Sequence, residues 1–173
     1  MHPAASGWIL HLAQGFGLGR LPLAPGTFGS LAGLPWLLLL LGTGSLYSFL
    51  AALMAGFAVS VWACGTAEDL LRHKDPPSVV LDEIVALPLA FVPWTIDFWL
   101  RHSTLPPPDE FFRDNHWVRS LVLFALFRAF DVAKPWPVQQ SQRLPAGWGI
   151  TADDLLASLY VALLSLLPIL LLK

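Results

Sequence analysis

Long apolar stretches separated by short polar segments dominate the pattern of this sequence. Residues 46–64 form a run of 19 positions without a charged side chain, and residues 155–172 form a run of 18. A helix of 19 residues is about 28 Å long, close to the roughly 30 Å of a bilayer's hydrocarbon core. The pattern therefore predicts two membrane-spanning α-helices.

Three further apolar blocks are shorter or interrupted, and each could be partial or re-entrant: residues 31–41, 84–100 and 117–130. The glycine-containing residues 42–45 after the first of these blocks predict a tight turn between antiparallel helices. Pro88 and Pro93 predict kinks in the second block. Arg119 and Arg128 make the third block the weakest candidate for a span. We therefore expect an all-α, polytopic membrane helical bundle with about four to five apolar helices.

Composition agrees with membrane embedding. The chain has 173 residues, of which 55% are hydrophobic and only 13% are charged, whereas soluble domains are about one quarter charged. Its length predicts a single domain, residues 1–173. The alternative that remains is a soluble helical domain with a very apolar core.

Charge and cysteine content exclude several other classes. The net charge of −2 and the lack of a basic stripe argue against a nucleic-acid partner. Cys64 is the single cysteine, which excludes an internal disulfide framework and a multi-cysteine zinc site.

The positive charges favour one orientation in the membrane. With five crossings, the amino-terminal segment and the loops at residues 65–81 and 131–154 share one face. That face carries more Lys and Arg (Arg20, Arg72, Lys74, Lys134 and Arg143) than the other (Arg101, Arg113 and Lys173). A small excess of this kind weakly favours the first face as cytoplasmic. No signal peptide is expected, because the first long apolar run begins late.

A glycine-rich stretch, PGTFGS, precedes the first apolar block and contains Gly26, Thr27 and Ser30. Glycine permits close approach, and the amide groups at a helix start attract anions. A phosphate could therefore bind there, with Thr27 and Ser30 as hydroxyl donors and Arg20 as a nearby cation. Either hydroxyl could instead serve only as the helix N-cap.

Five carboxylates lie at the ends of three apolar blocks, on the face predicted to be cytoplasmic: Asp82, Glu83, Asp131, Asp153 and Asp154. Charged groups beside lipid usually face a cavity, a partner or a metal, because burying an unpaired charge is costly. Mg²⁺ prefers carboxylate, water and phosphate oxygens. Arg20, Arg128 and Lys134 could neutralise the remaining charge of a phosphate. The residues therefore predict Mg²⁺-assisted phosphoryl chemistry at a membrane surface.

These acids also have structural interpretations. The two adjacent acids at residues 82–83 would stabilise a helix dipole from its first turn. Asp131 could form an ion pair with Arg128 on its own helix. Thr151 and Asp154 match the spacing of a capping box.

The combination of four stretches resembles the phosphatidylglycerophosphatase A family: PGTFGS at 25–30, LDEIVA at 81–86, FRAFDVAKPWPV at 127–138 and GWGITADD at 147–154. The resemblance implies a Mg²⁺-dependent phosphatase of the bacterial inner membrane. The charge bias favours the cytoplasmic face for its active site. Its implied substrate is the lipid phosphatidylglycerophosphate, which loses its terminal phosphate to give phosphatidylglycerol and inorganic phosphate. The positions that match are Gly26, Thr27, Ser30, Asp82, Glu83, Arg128, Asp131, Lys134, Asp153 and Asp154.

Two questions stay open at this point. Either water or a carboxylate could attack the phosphorus, and we favour water because no nucleophile signature is present. The alternative function is a small ion- or proton-coupled transporter, since Glu83 and Asp97 lie near proline-kinked apolar segments. Against a transporter, most of the acids lie at helix ends rather than in mid-span.

Overall fold

The computed structural model describes residues 3–171, with side chains from residue 6 to residue 169, and all regular secondary structure in this part is helical. The eight α-helices are α1 (Pro3–Ala13), α2 (Pro25–Leu41), α3 (Leu46–Leu71), α4 (Leu81–Ala86), α5 (Val92–His102), α6 (His116–Ala133), α7 (Val138–Ser141) and α8 (Gly147–Leu171). Three 3₁₀ segments accompany them: Gly15–Arg20, Leu87–Phe91 and Pro108–Phe111. The all-α prediction is confirmed. Leu172, the end of the last apolar block, and Lys173 lie outside the described residues.

Three helical segments are long and apolar enough to cross a membrane: Leu46–Leu71, Leu81–His102 and Gly147–Ile169. Helix α2 is apolar but has only 17 residues. Helix α6, which carries Arg119 and Arg128, is not among the segments that qualify. The apolar blocks of the sequence therefore all become helices, and three of them have the length and composition of a span.

The predicted kinks lie where the proline residues are. Helix α4 ends at Ala86, the 3₁₀ segment Leu87–Phe91 follows, and α5 begins at Val92. Proline has no N–H to continue the ladder of hydrogen bonds. One carbonyl at this break, that of Ala86, accepts a hydrogen bond from Ser158 Oγ of α8 at 2.7 Å.

Helix α8 occupies the centre of the bundle and packs against α3, α6 and the segment from α4 to α5. Helix α2 packs against α4 on the other side, and Gly33 permits this contact. A Cβ atom at Gly33 would lie 2.7 Å from Leu87 Cβ, too close for any other residue. Nearer the start of α2, a Cβ atom at Gly29 would lie 2.8 Å from Val80 Cβ, so the first turns of α2 and α4 lie side by side.

Two predictions about helix caps are wrong. Helix α8 begins at Gly147, so Thr151 lies inside it, where its hydroxyl is 3.0 Å from Ser60 Oγ of α3. Asp154 is therefore not the partner of a capping residue. Helix α2 begins at Pro25 after Ala24 and has no side-chain cap, so Thr27 and Ser30 are not N-caps.

Candidate active site

One end of the bundle contains a cavity of about 260 Å³. Its wall comes from five parts of the chain: the start of α2, the loop before α4, the first turn of α4, the end of α6, and α8. The structure brings together all five predicted acids and two of the three predicted cations in this wall: Asp82, Glu83, Asp131, Asp153, Asp154, Arg128 and Lys134. Residues up to 72 positions apart in the sequence therefore share one small space.

Three of the acids are close enough to chelate one ion. Asp82, Glu83 and Asp154 each offer a carboxylate oxygen, and these oxygens lie within 4.8 Å of one another. Asp82 Oδ1 and Glu83 Oε2 are buried without a hydrogen-bond partner in the described part of the chain. Buried anions this close together repel unless a cation compensates them. An all-oxygen donor set of this kind fits Mg²⁺.

Arg128 connects α6 to the other side of the cavity. Its NH1 atom donates hydrogen bonds to Asp131 Oδ2 and to Ser30 Oγ, the latter at 3.3 Å, and lies 4.0 Å from Glu83 Oε1. Ser30 in turn donates to the Gly26 carbonyl at 2.8 Å. The predicted pair of Arg128 and Asp131 on one helix is confirmed, and the pair also faces the acids of α4. Ser30 itself orients Arg128 and is not among the residues that line the cavity.

Gly26 lies directly against this ion pair. A Cβ atom at this position would be 2.5 Å from Glu83 Oε1 and 3.2 Å from both terminal nitrogens of Arg128. The carboxylate and the guanidinium therefore contact the backbone of α2 at a distance that only glycine allows.

Lys134 and Asp153 form a second ion pair in the wall of the cavity. Lys134 Nζ donates to Asp153 Oδ2 at 2.5 Å, and Gln142 Nε2 donates to the same oxygen at 3.0 Å. Gln142 Nε2 also lies 3.3 Å from Asp75 Oδ2. Because both donors use Oδ2, Asp153 Oδ1 is left buried and without a partner in the described residues. That oxygen is available to a ligand in the cavity.

Neighbouring carboxylates keep the side chain of Lys134 protonated. Burial lowers the pKa of Lys134, but the hydrogen bond and the charge of Asp153, with the charges of Asp75 and Asp131, outweigh it. The pKa is therefore raised above the ordinary lysine value, and the side chain is an ammonium ion at neutral pH.

Besides Ser30, two predicted phosphate-binding residues do not line the cavity, and two residues of the site were not predicted. Arg20 is exposed and donates to Gln14 Oε1 at 2.8 Å, and neither Arg20 nor Thr27 lines the cavity. Asp75 and Gln142 were missed because they lie in loops, where sequence spacing indicates no shared face.

Asp97, the acid that suggested a transport path, is separate from this site. It forms an ion pair with Arg101 on its own helix, with Arg101 Nε at 2.9 Å from Asp97 Oδ2. It does not line the cavity that contains Glu83.

A bundle with membrane-length helices that places three clustered carboxylates and two cations in one cavity suits a membrane-associated phosphatase. Comparison with known proteins specifies the class further. A family model described as Phosphatidylglycerophosphatase A matches residues 11–169. The chain belongs to the phosphatidylglycerophosphatase A family, as the four sequence stretches indicated.

Individual relatives cover most of the chain. Phosphatidylglycerophosphatase A of Escherichia coli (strain K12) is 35% identical over 158 residues, which is 90% of this chain and 79% of the relative. Phosphatidylglycerophosphatase A of Haemophilus influenzae is 35% identical over 156 residues, or 88% and 83% of the two chains. A provisionally named phosphatidylinositol-3-phosphatase of Bacteroides thetaiotaomicron is 34% identical over 153 residues, or 86% of each chain. No solved structure matches the chain.

Proposed function

We propose that this protein hydrolyses the terminal phosphomonoester of phosphatidylglycerophosphate, giving phosphatidylglycerol and inorganic phosphate. The observation that carries the proposal is the cluster of Asp82, Glu83 and Asp154 in one cavity with Arg128 and Lys134. Three clustered acids favour a divalent cation, and the two cations favour a phosphate. The names of the two phosphatidylglycerophosphatase relatives support the choice of substrate.

Asp82, Glu83 and Asp154 would hold Mg²⁺ through their carboxylate oxygens. When bound, the ion would supply charge stabilisation to the oxygens of the transferring phosphoryl group. Asp131 contributes indirectly, because it holds Arg128 in place.

The remaining side chains bind the phosphate and accept a proton. Arg128 and Lys134 both line the cavity and bind the phosphate oxygens as charge-assisted donors. Asp153 Oδ1, which has no partner in the described residues, accepts a proton from the attacking water. The oxygen of water adds to phosphorus, the bond from phosphorus to the glycerol oxygen breaks, and that oxygen takes up a proton. We favour water over an attacking carboxylate, so no phosphorylated aspartate should accumulate.

We place the protein in the bacterial inner membrane as a single membrane-embedded domain with this cavity on the cytoplasmic face. Three segments of membrane-spanning length and the bacterial relatives support membrane association. The lipid's acyl chains then stay in the bilayer while its phosphate reaches the cavity at the level of the headgroups.

Release of inorganic phosphate from detergent-dispersed phosphatidylglycerophosphate tests the proposal. We expect release by the wild type, loss with a chelator, and recovery with added Mg²⁺. Asp82→Asn and Asp154→Asn should each lower the rate by at least about a hundredfold, whereas Asp97→Asn, a matched change outside the cavity, should not.

Three outcomes would contradict the proposal. These are wild-type activity in both cavity variants, an undiminished rate with chelator, and no cleavage of phosphatidylglycerophosphate. Phosphatidylinositol 3-phosphate belongs in the same assay, because one relative bears the name of a phosphatase for that lipid.

A further inference from the structure

A second, polar cavity adjoins the candidate active site. It has a volume of about 440 Å³, and its lining includes Lys74, Asp75, Gln139, Gln140, Gln142 and Arg143. We call it the polar pocket. None of the residues assigned to metal or phosphate binding above lines it. It therefore lacks a role in the reaction as described so far.

The polar pocket shares a wall with the active-site cavity. Asp75 lines both cavities. Gln142 Nε2 makes hydrogen bonds to Asp75 Oδ2 at 3.3 Å and to Asp153 Oδ2 at 3.0 Å. Asp75 has a φ of +49°, a left-handed conformation that aspartate tolerates better than most residues. The hydrogen bonds of Gln142 thus connect the wall of the polar pocket to Asp153 of the active site.

The pocket offers partners for a hydroxyl group and for a phosphate. At the wall shared with the active-site cavity are the amide of Gln142 and the carboxylate of Asp75, which are partners for a hydroxyl group. Lys74 and Arg143 supply two positive charges for a phosphate, and Glu68 adds a further carboxylate that can accept a hydrogen bond from a hydroxyl.

The proposed substrate carries groups that match these partners. Its terminal phosphate is followed by a glycerol unit with one free hydroxyl and then by a phosphodiester. We infer that the polar pocket binds this hydroxyl and this phosphodiester while the terminal phosphate lies in the active-site cavity.

This inference rests on the proposed function and extends it to specificity. Phosphatidic acid also ends in a phosphomonoester but has neither the glycerol unit nor the phosphodiester. It can fill the active-site cavity and gains nothing from the polar pocket. The pocket would therefore be the part of the molecule that distinguishes the two lipids.

Arg143→Ala tests the phosphodiester contact. We expect kcat/KM for phosphatidylglycerophosphate to fall about tenfold more than kcat/KM for phosphatidic acid with the same acyl chains. Arg72→Ala is the matched control, because Arg72 is an exposed arginine at the end of α3 that lines neither cavity. Equal losses on the two lipids, or equal effects of the two variants, would overturn the inference.

Gln142→Leu tests the hydroxyl contact. Because Gln142 also holds Asp153, the variant is compared on two substrates: phosphatidylglycerophosphate and an analogue in which propane-1,3-diol replaces the glycerol unit. Any structural damage caused by the substitution lowers the rate with both substrates equally. It therefore cancels when the losses of rate with the two substrates are compared. We expect about a three- to tenfold loss with the natural lipid beyond the loss with the analogue. Identical losses would show that Gln142 does not bind the hydroxyl.

A binding measurement separates this inference from the proposed function. Glycerophosphoglycerol, the water-soluble headgroup with its phosphodiester and hydroxyls, is titrated into wild type, Arg143→Ala and Arg72→Ala by calorimetry in detergent. We expect about tenfold weaker binding for Arg143→Ala alone. If the wild type does not bind glycerophosphoglycerol, or if the two variants bind it equally, the polar pocket does not bind the headgroup, even if the enzyme cleaves phosphatidylglycerophosphate. If the enzyme cleaves no lipid, the proposed function is wrong, and this titration still tests whether the polar pocket binds the headgroup.

Discussion

Gly26 is a position in the site at which any side chain would meet catalytic groups. The carboxylate of Glu83 and the guanidinium of Arg128 both lie within 3.2 Å of the position that a Cβ atom would take. A methyl group there would have to displace Glu83 from the acid cluster or Arg128 from the phosphate. We expect Gly26→Ala to lower the rate of phosphate release by about tenfold or more, because small displacements of catalytic groups are costly.

Gly7→Ala is the matched control for this variant, because no atom lies within 4 Å of the position of the added methyl group. Both variants should unfold within a few degrees of the wild type in a thermal melt in detergent. Full activity of Gly26→Ala would show that the contact between α2 and the ion pair is unimportant for turnover.

Lys134 carries a prediction about pH. Its raised pKa keeps it charged below the ordinary lysine value of about 10.4, and its charge is lost only as the pH rises through the folded pKa. We expect Lys134→Ala to raise KM about tenfold with little change in the Mg²⁺ concentration needed for half-maximal rate. The ratio of the KM values of variant and wild type should be constant from about pH 6 to pH 9.

Steady-state kinetics over this pH range, with Mg²⁺ varied at each pH, checks the prediction. An unchanged KM would remove Lys134 from phosphate binding. A ratio that falls by pH 8 would mean that the ammonium ion loses its proton far earlier than its contacts with Asp153 indicate.

The sequence could predict the acids of the site but not their partners. Charged side chains at the ends of apolar helices avoid the lipid and face a cavity or a partner. Asp82, Asp131 and Asp153, which lie on one predicted face, were therefore expected to lie close together. Gln142 lies in an irregular connection, and its contact with Asp153 depends on how the chain returns from α7 to α8. Arg20 was expected near the phosphate, but its side chain donates to Gln14 Oε1 and does not line the cavity.

At the level of helices, hydroxyl contacts set the position of α8 along its neighbours. Thr151 precedes Asp154 by three residues and Ser158 follows it by four, so all three share one face of the helix. Thr151 contacts Ser60 of α3 and Ser158 donates to the Ala86 carbonyl beyond α4, and each of these side chains is fully buried. These contacts fix where Asp154 meets the acids of α4.

Ser158→Ala should therefore weaken both the fold and the site. It leaves the buried Ala86 carbonyl without the serine donor, at a cost of about 1–3 kcal/mol in unfolding free energy. It also permits α8 to slide against α4, so we expect several-fold weaker binding of Mn²⁺, measured by electron paramagnetic resonance as a substitute for Mg²⁺.

The control for this variant is Ser165→Ala on the same helix. Ser165 is also buried, but its hydroxyl bonds to the carbonyl of Ala162 within α8. It should affect stability less and leave Mn²⁺ binding unchanged. Equal Mn²⁺ affinity in both variants would show that the contact between α8 and the Ala86 carbonyl does not position the acids.

The apolar blocks located the helices but not their ends. Helix α2 begins at Pro25 and α8 at Gly147, six and eight residues before the apolar blocks at 31–41 and 155–172. Hydropathy cannot reveal these extensions, because the added turns are polar and face the cavity or neighbouring helices. The capping-box interpretation of Thr151 failed for this reason. The polar turns that hydropathy assigned to loops are the turns that carry the site.

For the whole molecule, the three long segments determine which loops share a side of the membrane. The loop at residues 72–80 and the connection at residues 134–146 both lead to the cavity, whereas residues 103–107 follow the opposite end of the segment Leu81–His102. The larger number of Lys and Arg residues on the cavity side predicts that this side is cytoplasmic.

Cysteine labelling in intact cells tests this arrangement. The single native cysteine, Cys64, is fully buried, so the wild type provides a background of low reactivity. His73 and Thr104 are both exposed and flank the segment Leu81–His102. A membrane-impermeant maleimide should label Thr104→Cys in intact cells. It should label His73→Cys only after the cells are permeabilised. Labelling of both from the same side would mean that the kinked segment turns back within the bilayer. The reverse pattern would place the cavity outside, away from the cytoplasmic Mg²⁺ and lipid on which the proposed reaction depends.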